Sequence, residues 1–506
     1  MGVGMTITLQ NIKHLFEDKQ VRPVLLTVIS LCLVSTVHLI KPLFDPDFYW
    51  HLKTGFWIWD NKWLPHIDPF SINPQYADYN RTKFILSSYW LFQLLLCAFY
   101  KIGGFSGIII LRFLLGAIFI FIFYRYSVSK NLSAALVGGI GITPILEAQF
   151  PERPQFISFV CCALILSLIF TYLRRENKGL FSLMIPLCLT MFLWANMHGG
   201  FLLGLILLSS ILLAETIKFI HPRLLPLPSK QYFTLAISIC SAILISIVNP
   251  NHLNSLEMIL PSGEANSFIY TSILEFSNLY EYFKISGGNG PIIALCTYLF
   301  TLILAISSRE RTNITWMVLL ISLGYMGFSH IRYYPFFLIC ATLFALHYFD
   351  TKVMGKAAKF VLVAFYLVVI TLSLSKTPGN LKRISQYGWV PASYFPVKGC
   401  DFIKANGIDG NIFTTINWGG YVIWRLSPQQ KVYFDGRQLD PARSWEYFYG
   451  MDNWKAIFNK YDIRVAIVPK IDESYKTPAL KRALDMDADW TLVDSANNGA
   501  VFIRKY

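Results

Sequence analysis

Apolar runs of about 20 residues follow one another through the first three quarters of this chain, punctuated by short clusters of Lys and Arg. That length is what an α-helix needs to cross a bilayer, and a chain built this way has few other options. The runs fall at 24–43, 88–103, 106–124, 132–149, 155–173, 180–197, 200–217, 232–248, 290–307, 314–329, 333–349 and 358–375. They predict an α-helical polytopic membrane protein with about 11–12 membrane helices. Charged residues make up 15% of the chain, against about 25% in soluble domains. The net charge of +14 sits in clusters such as Arg174, Arg175 and Lys178 or Lys218, Arg223 and Lys230. Such clusters mark cytoplasmic turns, so the charge reports orientation and implies no nucleic-acid partner.

Lys13, Lys19 and Arg22 place the start of the first run in the cytoplasm and loop 44–87 outside. Counted back from the basic clusters, the turn at His198, the loop 249–289, the turn 329–332 and everything after residue 375 also face outward. The count fails by one crossing between 88 and 150. The stretch 132–149, with Gly138, Gly139 and Gly141, is therefore expected to be short or re-entrant. Residues 376–506 change character: apolar strands at 411–416, 431–434, 464–468, 490–493 and 500–504 alternate with helical patterns, which predicts a C-terminal extracytoplasmic α/β domain after a membrane domain of residues 1–375. Eight of the nine cysteines lie in or beside apolar runs, so no disulfide framework or CxxC metal site is expected.

Acidic residues are scarce in the membrane part. The first 375 residues carry 17 of the 30, and five of those 17 lie between Asp45 and Asp78. Asp45-Pro-Asp47 directly follows the first apolar run. Two carboxylates at a helix end could serve as a general base or hold a divalent cation such as Mg or Mn. They could equally terminate the helix. Trp50, His51 and the aromatics after them suit an amphipathic helix in the headgroup layer. Arg153-Pro-Gln155, Asn196 with His198-Gly-Gly, and Arg332 fall on the same side; with Glu147, Glu152, Glu275 and Glu281 nearby, they could receive a phosphate headgroup. Asn417-Trp418-Gly-Gly-Tyr421 and Phe434-Asp435-Gly-Arg437 each lie at the end of a strand; glycines there allow close approach, to a ligand or within a tight turn. P-loop, GxGxxG, HExxH and GxSxG motifs are absent, which removes support for ATP-driven, dinucleotide, zincin and serine-hydrolase chemistry.

An acidic motif in the first outward loop resembles the GT-C superfamily of multispanning glycosyltransferases. The C-terminal part is similar in order to the catalytic subunit of oligosaccharyltransferases, whose strand-following Trp-Trp-Asp-Tyr-Gly segment corresponds to Asn417–Tyr421 here. The acceptor-reading Asp of that motif is missing, with Gly419 or Gly420 near its place, so sequon recognition does not carry over. The set DPDxxWH, RPQ, NxHGG, WGGY and FDGR also resembles a group of bacterial GT-C-like membrane proteins. The resemblance implies catalysis by Asp45 or Asp47 on a polyisoprenyl-phosphate- or pyrophosphate-linked sugar donor. It further implies a glycan, lipid or protein acceptor and a bacterial inner membrane with the C-terminal domain outside. A transporter or flippase of a lipid-linked precursor, or a GT-C-like scaffold without catalysis, remains open; the chain lacks the internal repeats usual in transporters.

Overall fold

The computed structural model describes residues 39–72, 79–127, 132–174, 179–220, 224–259, 274–286, 295, 297–299, 301–302, 313–351, 356–470, 477–496 and 498–505. Most of the first expected span and of 290–307 lies outside these residues.

The chain is mainly helical. Helix α1 (Pro46–Asn61) starts where Asp45 caps it, its Oδ1 accepting from the amides of Asp47 at 2.8 Å and Phe48 at 3.3 Å. Pro46 at the first helical position has no amide hydrogen to lose. Then come α2 (Tyr79–Ser87), α3 (Trp90–Tyr126), α4 (Leu132–Ala148), α5 (Gln155–Arg174), α6 (Leu180–Met197), α7 (Phe201–Ile217), α8 (Ser229–Ile245), α9 (Leu279–Ser286), α10 (Asn313–Ser329), α11 (Tyr334–Thr351) and α12 (Lys356–Tyr387). Among the described residues, Arg81–Tyr126, Gln155–Arg174 and Leu180–Met197 are long and apolar enough to cross a membrane. Phe119, Phe123, Phe156, Phe159, Phe170 and Trp316 pack in the bundle core, the last two stacked at 3.6 Å.

Helix α3 is not one rod. Gly103 and Gly104 leave helical geometry, Gly104 at φ +58, and a side-chain carbon on Gly107 would overlap the Phe99 carbonyl oxygen. Residues eight apart in a straight helix are separated by about 12 Å along its axis. The chain therefore folds back, and residues 90–102, about 20 Å long, pack along α1, where Gly55 lies against the Gln93 backbone. By contrast α4 is continuous despite Pro144 and packs against α11 and α12. Residues 90–102, expected as a span, are thus too short to cross, while α4 has 17 residues, the short helix expected at 132–149.

Helix α1 is enclosed by protein over its first turns. Phe48, Tyr49, Trp50, His51 and Leu52 are buried in succession, covered by α3 and by the helix Ile416–Leu426 of the C-terminal part. Only its distal end exposes aromatics, Trp59 and then Trp63 in the following loop.

Helix α12 runs through residue 376 without a break. Beyond it are α13 (Val397–Ala405), β1 (Asn411–Thr414), α14 (Ile416–Leu426), α15 (Pro441–Tyr449), α16 (Trp454–Lys460), β2 (Ile463–Pro469), α17 (Thr477–Met486), β3 (Trp490–Asp494) and β4 (Gly499–Arg504). The sheet order is β1-β2-β4-β3, with β1 parallel to β2 and the other pairs antiparallel. Both sheet faces are covered: Ile412, Val465, Ile467 and Val501 join the main core, and Phe413, Ala466, Val468 and Phe502 join a second cluster. The expected strand 431–434 contributes only isolated bridges from Val432, to Ile412 and to Ser71 of the first loop. Backbone bonds Ile72 N–Val432 O and Val432 N–Phe70 O, each 3.0 Å, stitch that loop to the C-terminal part.

Candidate active site

A cavity of about 890 Å³ opens where α1, the loop before α5, the turn after α6 and the C-terminal part meet. Asp45, Asp47, Trp50, His51, Arg153, Gln155, His198, Arg332 and Arg437 line it. These are most of the residues singled out in the sequence. Asn196, Trp418, Tyr421 and Asp435 stand behind its wall. Asn196 accepts from Trp90 Nε1 at 3.0 Å and donates to Val248 O at 2.8 Å. Trp418 donates to Tyr394 O, and Tyr421 stacks on Phe395. Arg81, Tyr89 and Arg383 also line it, without any local motif to announce them.

Arg153 organises the carboxylates. Its Nη2 donates to Asp47 Oδ2 at 2.7 Å, and its Nη1 lies 3.0 Å from Glu275 Oε1 and 3.5 Å from Asp45 Oδ2. Asp47 Oδ1 accepts from Trp50 Nε1 at 3.0 Å. A buried bidentate pair backs this arrangement: Arg112 grips Glu152, next to Arg153, at 2.9 and 2.6 Å and also donates to the carbonyls of Leu39 and Lys41. Burial raises the Asp45 carboxyl to about 7; Arg153 opposes the rise, while Asp47 and Glu152 add to it.

The divalent-cation expectation does not match this geometry. The Arg153 guanidinium already occupies the position between Asp45, Asp47 and Glu275 that a cation would take. Among the described residues, no group of three or more His, Cys, Asp or Glu side chains is placed to hold a metal.

The histidines act as neutral groups. At Nδ1, His198 accepts the Gly200 amide at 2.9 Å and faces Ser158 Oγ at 2.7 Å. Because the Gly200 amide donates to Nδ1, that nitrogen carries no hydrogen, and the Ser158 hydroxyl, which accepts from Trp194 Nε1 at 2.7 Å, donates to it. The imidazole proton is thereby fixed on Nε2. Burial, helped by Arg332 and Arg153, lowers His198 to about 3, and burial also pushes His51 well down. Tyr89 stands between the two rings, 5.0 Å from His51 and 5.5 Å from His198.

The C-terminal glycines have a mechanical role. A side-chain carbon on Gly420 would overlap Pro46 O, and one on Gly436 would overlap Asp47 Oδ1. The two C-terminal motifs thus approach Asp45-Pro-Asp47 as closely as backbone can. Arg437 holds the approach with bonds to Asp68 at 2.6 and 3.0 Å, to Asp435 at 2.8 and 2.8 Å and to Ser71 at 3.1 Å. All three charged side chains are at most 4% exposed. With its donors so engaged, Arg437 is a clamp between the first loop and the C-terminal part.

No protein-family model and no curated protein matches the sequence. Solved structures do match the fold. ArnT from Cupriavidus metallidurans in the apo state aligns over 95% of this chain and 97% of its own, with TM-score 0.56 and 12% identity. The Archaeoglobus fulgidus oligosaccharyltransferase in the apo form aligns over 89% and 70%, with TM-score 0.51 and 10% identity. This chain has the GT-C fold. A second match to the GT-C architecture is ArnT from C. metallidurans bound to undecaprenyl phosphate, with TM-score 0.55, 11% identity and the same coverage of 95% and 97%. At these identities the GT-C likeness is one of fold; the residues of this cavity carry the chemical argument.

Proposed function

We propose that this GT-C chain is a membrane glycosyltransferase that moves a sugar from a polyisoprenyl-phosphate or -pyrophosphate donor to an extracytoplasmic acceptor. The observation that carries the reading is a buried carboxyl raised to about 7, in a cavity also lined by Arg81, Arg153, Arg332 and Arg383. A carboxyl near neutrality suits a general base, and arginines suit a phosphate leaving group. An acceptor hydroxyl or amide attacks the anomeric carbon as the bond to the donor phosphate oxygen breaks. Asp45 Oδ2 takes the acceptor proton, and the phosphate departs with the electron pair toward Arg332 and Arg153. His198 offers a neutral Nε2–H donor. One displacement inverts the anomeric centre.

The fold-back at Gly103 supports the topology. In the proposed topology 90–102 lies beside α1 outside the bilayer, α4 and the expected span 290–307 are counted as crossings, and Asp45, Arg153, His198, Arg332 and the C-terminal part share one side. Arg125, Arg174 and Lys218 fall on the other.

The test is transfer in membranes supplied with a labelled polyprenyl-phosphate sugar. Asp45→Asn should abolish it and Asp47→Asn should reduce it sharply, and undiminished transfer in Asp45→Asn would remove the catalytic assignment.

A further inference from the structure

A second cavity, of about 660 Å³, lies at the far end of α5. Gln155, which opens this helix, lines the first cavity, and Arg174, which closes it, lines the second. Twenty residues of helix rise about 30 Å, the thickness of the hydrocarbon core. The two cavities therefore sit at opposite faces of the membrane. The second has an apolar wall that includes Phe121, Leu164 and Leu168, with Phe121 exposed on the bundle surface, and a basic rim of Arg125 and Arg174.

Arg174 is not an ordinary solvated topology signal. Its guanidinium lies 4.1 Å from the centroid of the Tyr126 ring, and its Nε and Nη2 are buried without a hydrogen-bond acceptor among the described residues. These two nitrogens form one edge of the guanidinium, the fork that grips a phosphate or carboxylate side-on. A charged fork withdrawn from water is costly unless an acceptor meets it. Helix-end carbonyls do not fill that role here.

We propose that this cavity binds the headgroup of an anionic diacyl phospholipid from the leaflet opposite the first cavity. The phosphodiester accepts both N–H groups of the Arg174 fork, Arg125 supplies a second positive charge, and the acyl chains run along Phe121, Leu164 and Leu168. The apolar wall on the lipid-facing side selects a phospholipid over free phosphate. The site stands independently of what the first cavity transfers.

The test uses the full-length chain in nanodiscs carrying a photoreactive phosphatidylglycerol or the matching phosphatidylcholine, with cross-links mapped by peptide. Phosphatidylglycerol is expected to label 121–127 and 164–174 well above phosphatidylcholine. Arg174→Gln is expected to cut that labelling by about tenfold, and Arg332→Gln in the first cavity to leave it unchanged. Arg174→Lys keeps the charge, loses the fork and should fall between. Arg125→Gln, at an exposed position, should weaken labelling by about two- to threefold even if Arg174→Gln does not fold. Equal labelling by the two lipids, or labelling indifferent to both arginines, would overturn the proposal. So would loss of labelling to competing inorganic phosphate, which would make the site one for a free anion.

Discussion

Replacing Arg437 by Met should unfasten the C-terminal part from the first loop while leaving the membrane bundle assembled. The guanidinium makes two bonds to Asp68, two to Asp435 and one to Ser71, with almost no solvent in contact. Breaking a buried pair by removing one partner costs about 3–5 kcal/mol, because the remaining charge stays buried and unpaired. Here two carboxylates would be left. At about 1.4 kcal/mol per tenfold, the local opening equilibrium should rise by roughly two to three and a half orders of magnitude. Amide hydrogen exchange of Ile72 and Val432 reads that equilibrium, since their amides close the backbone bonds between the two parts. Exchange at Phe119 and Phe159, deep in the bundle core, should not change. Removing the whole network, with Asp68→Asn and Asp435→Asn added to Arg437→Met, should restore much of the protection, as replacement of buried ion networks by neutral groups often does. Acceleration below tenfold in the single variant, or acceleration everywhere at once, would refute the clamp.

Activity and stability should respond to pH in opposite senses. Asp45 titrates near 7 when folded and near 4 when unfolded. The folded chain therefore holds a proton that the unfolded chain has released, and this contribution to stability is full below about pH 4 and lost as pH rises to about 7. The base form needed for transfer grows over the upper part of that window. Melting temperature and kcat/KM against pH should cross in this way, and Asp45→Asn should flatten the melting profile. His198 stays neutral throughout, so His198→Gln should keep the shape of the rate profile and cost less than His198→Ala; a moved acid limb in His198→Gln would refute the neutral-donor role. Ser158→Ala removes one of the two donors at His198 Nδ1 and leaves the Gly200 amide to hold the tautomer, so it should lower kcat less than His198→Ala does. Gly436→Ala should push Asp47 off Trp50 and Arg153 and lower kcat/KM on the order of 10², a loss set by misplacement; wild-type kinetics would show that the contact yields freely.

The sequence made the helices and the paired carboxylates legible because each leaves a local trace. Hydropathy marks spans, an acid pair after an apolar run stands out, and strand-helix alternation after residue 376 gives the sheet. The misjudged elements depend on partners far along the chain. Residues 90–102 are as apolar as a span, and only the Gly103–Gly104 turn and the face offered by α1 explain why they are not one. The aromatics of α1 suit a membrane surface as well as the protein groove that buries them. Arg81 and Arg383 carry no motif and reach the cavity only through tertiary packing. Trp418 and Tyr421 sit in a motif that looks like ligand binding, yet their neighbouring glycines act by having no side chain.

The stitch between Ser71 and Val432 also orders events in time. Asp45 leaves the ribosome roughly 390 residues before Gly436 and Arg437 can reach it, a delay of about 20–80 s at usual elongation rates. Until then the first loop lacks the strand partner and the Arg437 clamp that enclose it. The cavity around Asp45 is closed only when the last quarter of the chain arrives, so an unfinished or truncated chain in the membrane would lack that enclosure.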